Sequence, residues 1–284
     1  MRRPLLFCVP ALAALLLSGG APAPAEPRTA ERTALPAAAL PAPTTTHHFV
    51  ANLHGAAAEP RRTGFNIFDT GSSSQQVDAL PTGVRAMVWL GQKCPTVADA
   101  AFRSTVQRLA TDPRVFGYYL SDEPHVADCP QGALALASRA GYIRQVTGGK
   151  QRSFIVLSKP EDYPAFRPRI SLVDMVGIDP YPCSVPNPGC AFDKIDEKVA
   201  LATRSIALSH IVPVYQAFGQ SAAESNYYTL PTAAQMSTML AHWARLVPHP
   251  KMDYAYGWGH QTSANPTLTD SAPLKSLFSS YFAG

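Results

Sequence analysis

The segment GYYLSDEPH, residues 117–125, ends a β-type run in two adjacent carboxylates and follows them with proline. Adjacent acids at a strand end are costly unless they face solvent or a reacting group. Strand alternation sends Asp122 and Glu123 to opposite sides, although a strand end can twist. If Glu123 faces inward, Ser121, Tyr119 and Gly117 share that side, while Tyr118 and Leu120 pack outward. Two more acids close similar runs, Asp179 in VGIDPYP and Asp69 in FDTGSSS. Carboxyls whose surroundings push their proton affinities apart can divide general acid and general base work between them. Plainer roles compete: Asp179 before Pro180 can cap a turn, and Asp69 can cap the segment after it.

Those acids need a frame. Eight short β-type runs are spaced along the chain: 48–55, 65–71, 84–91, 115–124, 153–159, 175–182, 212–219 and 254–260. Helical periodicity fills Thr96–Leu109, Ala133–Val146, Asp193–Leu208, Thr232–Leu246 and Leu274–Phe282. The crossovers 56–64 and 72–83 are short and weakly helical. Strands alternating with helices imply right-handed βαβ units and a parallel sheet. Eight units predict one α/β domain, a (β/α)8 TIM barrel over 47–284, near the roughly 250 residues usual for that fold. No Gly-rich phosphate loop follows the first run, so a dinucleotide-binding Rossmann fold lacks its signature. Barrel enzymes keep their sites at the C-terminal strand ends, where all of these acids fall.

The N-terminus reads as an export signal over 1–25. Arg2 and Arg3 precede the apolar run Leu5–Leu17, and Ala23-Pro24-Ala25 fits a small-x-small cleavage site. The run is shorter than the roughly 20 residues that span a bilayer. Residues 26–46 are rich in Ala, Pro and Thr, the composition of a disordered leader. The expectation is a secreted, extracellular protein with no membrane attachment once the signal is removed. Losing Arg2 and Arg3 lowers the formal charge from +4 to +2, and no basic stripe marks a nucleic-acid partner. Of five cysteines, Cys8 leaves with the signal; Cys94, Cys129, Cys183 and Cys190 remain for an oxidising compartment. Their spacings match no common zinc finger or ribbon. In the barrel, Cys94 and Cys129 fall in neighbouring loops after strands three and four. Cys183 and Cys190 share the loop after strand six. The expected pairs are Cys94–Cys129 and Cys183–Cys190.

Asp122-Glu123-Pro124 at the end of strand four resembles the Asn-Glu-Pro element of the large retaining superfamily of TIM-barrel glycoside hydrolases. Tyr256 and Trp258 resemble the aromatic platform at strand eight of the same barrels. The resemblance spans 48–284 and implies Glu123 as general acid/base, with Asp122 beside it. One departure stands out. The superfamily's nucleophile is a Glu ending strand seven, where this chain reads VPVYQAFGQ with Gln216 or Gln220, and an amide cannot form the glycosyl ester. Asp179 is then the expected second carboxylate. Two strand spacings of about 4.8 Å from Glu123 approach the roughly 6.5–9.5 Å gap that holds a water in inverting enzymes. Asp69 and Glu224 are substitutes. Asp69, Trp89, Asp122, His125, Lys159, Tyr181, Gln216, Trp258 and His260 are the expected substrate contacts, since aromatic faces and hydrogen-bonding tips at strand ends suit sugars. His54 and Gln261 fall at strand ends too. The ligand is a poly- or oligosaccharide, with no cofactor or metal implied and a monomer expected.

Other readings weigh less. FDTGSSS, residues 68–74, matches an aspartic-protease loop, but that fold needs two such loops in an all-β chain, and Asp270-Ser271-Ala272 lacks the Gly. No GxSxG or HExxH motif is present. A catalytically inactive glycan-binding barrel is the alternative, favoured by Gln216. The two differ in whether a second carboxylate faces Glu123.

Overall fold

The computed structural model describes residues 40–262 and 264–284, and in it eight parallel strands close a barrel in sequence order. They are β1 (His48–Val50), β2 (Ile67–Thr70), β3 (Arg85–Trp89), β4 (Val115–Asp122), β5 (Arg152–Leu157), β6 (Met175–Ile178), β7 (Ile211–Gln216) and β8 (Asp253–Tyr256). β1 pairs with both β2 and β8, which completes the ring. Each strand overlaps the expected run. The export signal and residues 26–39 of the leader lie outside the described residues. Among the described residues no helix is long and apolar enough to cross a membrane.

The first two crossovers are short helices, α1 (Ala58–Thr63) and α2 (Ser74–Asp78). Longer ones follow as α3 (Ala100–Leu109) and α4 (Gly132–Thr147). After β5 come two single turns, α5 (Tyr163–Phe166) and α6 (Pro168–Ser171); then α7 (Asp193–Ala202), α8 (Ala233–Leu246) and α9 (Ala272–Ala283) close the chain. α3 begins later than its periodicity suggested because Asp99 caps it, accepting from Phe102 N–H. α7 ends at Ala202, where its buried stripe of Ile195, Val199 and Ala202 runs out.

Two apolar layers result. Phe49, Ile67, Met87, Tyr119, Phe154, Met175, Val214 and Tyr254 fill the barrel, and a larger shell including Tyr118, Leu120, Val176 and Trp243 lies under the helices. Tyr119 therefore points inward and Tyr118 and Leu120 outward, as alternation required. β4 carries two irregularities, one in its pairing with β3 and one between Tyr119 and Ser121 against β5. Such bulges re-aim side chains, and Phe116 and Tyr119 both reach the interior. At Gly117 a Cβ would meet the Arg152 carbonyl oxygen at 2.4 Å, so only glycine fits there.

Candidate active site

Past Tyr119 the strand delivers its acids to the barrel mouth. Tyr119 Oη donates to Asp122 Oδ1 at 2.5 Å, so Asp122 sits above the interior tyrosine. The next residue turns sharply. Glu123 has φ +46°, in the left-handed region, and its N–H donates to the Val156 carbonyl of β5. That bend carries the Glu123 side chain across β5 towards β6, where Asp179 follows Ile178.

There the two carboxyls come together. Asp179 is 2% exposed, and neither of its carboxylate oxygens meets a protein donor. Two carboxyls brought together in a buried site oppose double ionisation. Burial pushes Asp179 well above the carboxylate range, Glu123 pushes it further, and Lys198 opposes. The left-handed turn at Glu123 turns its side chain towards β6 and the second expected carboxyl.

Asp69 occupies the far wall. Its Oδ2 accepts from Asn52 N–H at 3.0 Å, while Oδ1 is buried without a partner. Burial raises its carboxyl, and the Asn52 and Leu53 N–H groups lower it. It does not cap α2; Ser73 does, in a capping box with Gln76. Asp122 opens to solvent through the cleft, yet the surrounding protein raises its carboxyl, against the pull of the Tyr119 hydroxyl.

Three cavities border these acids. The central one, about 310 Å³, is walled by Asp69, Trp89, Tyr119, Asp122, Tyr254 and Tyr256. A larger one of about 520 Å³ shares Asn52, Asp69 and Trp89 with it and extends over the β1 and β2 loops. A third, also about 310 Å³, lies on the β6 side among Pro180, Tyr181, Lys198, Tyr227 and Tyr228. In sequence the carboxyl pair abuts both flanks, Glu123 following Asp122 and Asp179 preceding Pro180 and Tyr181. Trp89 is 45% exposed and stands edge-on to Tyr119 at 4.7 Å. A Cβ at Gly91 would strike its indole at 2.5 Å, so glycine gives the ring its place. Tyr181 packs edge-on against Phe218 and Tyr228.

Other expected contacts are placed differently. Gln216 is fully buried: its Oε1 accepts from Cys183 N–H at 2.9 Å and its Nε2 donates to the Cys183 and Thr229 carbonyls at 2.8 and 3.0 Å. It clamps the β6 and β7 loops and has nothing left for a sugar. Trp258 is 1% exposed and packs edge-on to Phe65 in the outer shell, since the chain beyond β8 turns its ring away from the mouth. His125 is tied through Nδ1 to Asp162, which also holds Val126 N–H, joining the loops after β4 and β5. His260 pairs with Asp270. Lys159 is exposed at the start of a 3-10 turn and borders none of the cavities described above. Glu224 is held by Thr262 Oγ1 and Asn265 Nδ2 and does not swing into the cleft. Lys198 went unnoticed in the sequence. Its one signal is a position three residues after Ile195, on the inward stripe of α7.

Both disulfides, Cys94–Cys129 and Cys183–Cys190, join the expected residues, with Cα atoms 5.3 and 4.1 Å apart. The first ties the β3 and β4 loops, and the second closes the loop that Gln216 clamps. Among the described residues no group of three or more His, Cys, Asp or Glu could hold a metal ion.

No protein-family model and no curated protein sequence matches the chain. Among solved structures it is similar to the Bacillus cereus spore cortex-lytic enzyme, with TM-score 0.57 and 9% identity over 84% of this chain and 74% of that one. It is similar to a chitinase from Chromobacterium violaceum, with TM-score 0.54 and 11% identity over 84% and 99%. A GH128 (subgroup I) endo-β-1,3-glucanase from Amycolatopsis mediterranei, in complex with laminaripentaose, gives 0.52 and 14% over 83% and 99%. At such identities the likeness is one of fold, the single (β/α)8 barrel.

Proposed function

We propose that the protein is a secreted glycoside hydrolase that cleaves O-glycosidic bonds of an extracellular poly- or oligosaccharide, with Glu123 as general acid. The observation that carries this reading is the meeting of Glu123 with the buried Asp179 at strand ends whose neighbours, Asp122 on one side and Pro180 and Tyr181 on the other, line two cavities. A departing sugar oxygen needs a proton in the transition state, and a positioned carboxyl supplies it. Glu123 is partly exposed and is the member that meets substrate and delivers the proton; Asp179 lies buried behind it.

In the reaction, the anomeric C–O bond breaks, the Glu123 proton goes to the leaving oxygen, and a water oxygen bonds to the anomeric carbon. The water's proton needs a second carboxylate. With Asp179 beside Glu123, the acid with an unengaged oxygen on the opposite wall is Asp69. Trp89 and Tyr181 offer ring faces to the apolar faces of sugars, and Asp122 offers a hydrogen bond. A carbohydrate ligand is also supported by the barrels of like fold, which include a chitinase and a glucanase holding laminaripentaose.

The test is reducing-sugar release from a polysaccharide panel, with Glu123→Gln alongside. Release that depends on Glu123 supports the reading. Binding without release from any substrate supports the glycan-binding barrel instead, which Gln216 at the strand-seven position first suggested. Secretion is tested separately: N-terminal sequencing of exported protein is expected to begin at Glu26, and retention of residues 1–25 would overturn it.

A further inference from the structure

Lys198 stands behind the carboxyl pair. It projects from α7 under the ends of β5 and β6, where its ammonium donates to the Ser158 carbonyl and, at 3.1 Å, to the Asp179 carbonyl. A lysine drawn away from water normally loses stability unless it is repaid by partners. Here two of its three protons go to carbonyls at adjacent strand ends, so the side chain fixes where Asp179 begins. Lys198 also lines the β6-side cavity, placing a cation at the wall of the cleft.

From this geometry we infer that Lys198 is a positioning residue for the Glu123–Asp179 pair: it anchors the Asp179 backbone and holds a positive charge beside the carboxyls, so that a proton held there stays transferable. The inference rests on the proposed hydrolase reading for its catalytic meaning, but not for its electrostatics. Without the cation, a pair of carboxyls in a desolvated pocket grips its proton more tightly, because the singly charged state loses its counter-ion. The other charged and titratable groups facing the cluster are Asp122, Glu161 and Lys194, with Tyr163, Tyr181 and Tyr228 around them. Asp122 adds negative charge and Lys194 adds positive charge, but neither donates to the Asp179 strand end. Burial lowers the proton affinity of Lys198, and Asp179 and Glu123 raise it. Each group therefore favours the charge of the other.

Three variants separate charge from anchoring. Lys198→Met removes both, Lys198→Gln keeps an amide donor without charge, and Lys198→Arg keeps charge. Two readings are taken on the mature protein: the carboxyl titration of the pair by 13C NMR, and kcat and KM against pH on the best substrate. An opposite charge at roughly 4–6 Å is worth about 1–3 pH units. The midpoint read at Asp179 is expected to rise by at least about one unit in the Met and Gln variants and to stay near the wild-type value in the Arg variant. The limbs of kcat should move with it, while KM changes less than about threefold. An unmoved midpoint in folded Lys198→Gln would overturn the inference, as would a loss of kcat equal at every pH. If the Met variant does not fold, the Gln and Arg variants decide. If the protein releases no sugar, the hydrolase reading fails, yet the NMR midpoint still decides for or against Lys198.

Discussion

Gln216→Glu puts a carboxyl at the end of β7, and the structure says this should harm the protein without creating a nucleophile there. Gln216 Nε2 supplies donors for the buried Cys183 carbonyl and the part-buried Thr229 carbonyl in the loop clamp. With a carboxylate the Cys183 carbonyl keeps the Thr229 N–H, but the Thr229 carbonyl is left unpaired and both face a charge. At about 1–3 kcal/mol for an unpaired group, the cost is about 1–3 kcal/mol near neutral pH. Protonated, the introduced carboxyl can donate once and recover most of that. Its proton affinity in the folded state must therefore exceed the roughly 4.3 of an unfolded Glu. For a raised carboxyl the folded state binds more protons, so stability is retained below that unfolded value and lost as pH rises through the folded one. The assay is thermal unfolding of wild type and variant from pH 4 to pH 8, with sugar release measured alongside. At about 2–4 °C per kcal/mol for a chain of this size, the variant should melt about 2–12 °C lower at pH 7 and close on wild type towards pH 4. Equal melting at pH 7, or a tenfold gain in hydrolysis, would refute the clamp.

Trp89→Ala should raise KM about three- to tenfold with kcat little changed, since an exposed ring facing the cleft contributes about 0.5–1.5 kcal/mol by stacking; a kcat loss with KM unchanged would contradict that placement. Replacing Cys94 and Cys129 together by Ser should cost nearly 4 kcal/mol from the chain entropy of a 35-residue separation, against about 2.5 kcal/mol for the 7-residue separation of Cys183 and Cys190. Differential scanning calorimetry of the two double variants checks the order, and a reversed order would show that the short loop matters through the Gln216 clamp more than through entropy.

The barrel was legible because its strands are short β-type runs broken by Gly, Pro or polar residues, with helical periods between most of them. The cysteine pairs followed from topology, once neighbouring loops were known. Side-chain directions at the strand ends were less legible. Alternation gave Tyr118, Tyr119 and Leu120 correctly, but it carries no information about the left-handed turn at Glu123. Trp258 lies just beyond β8, where period two no longer applies, and it packs outward. Gln216 sits where a strand-end residue should meet the cleft, yet the Cys183 and Thr229 backbone groups of two loops claim its amide. Loop-to-loop bonds of that kind, like the His125–Asp162 and Glu224–Asn265 ties, depend on distances of tens of residues that periodicity does not register. Lys198 reads in sequence as a charge on a helix; only the packing of α7 under β5 and β6 turns it towards the acids.

Hydrolysis through Glu123 is tested most directly by kcat of the mature protein and of Glu123→Gln on a released-sugar substrate. Loss of a positioned general acid removes roughly 10²–10⁴ in rate, and the account predicts at least a hundredfold fall in kcat with the variant folded and still binding. A variant that retains kcat to within tenfold would contradict it, and the proton on the leaving oxygen would then come from another group.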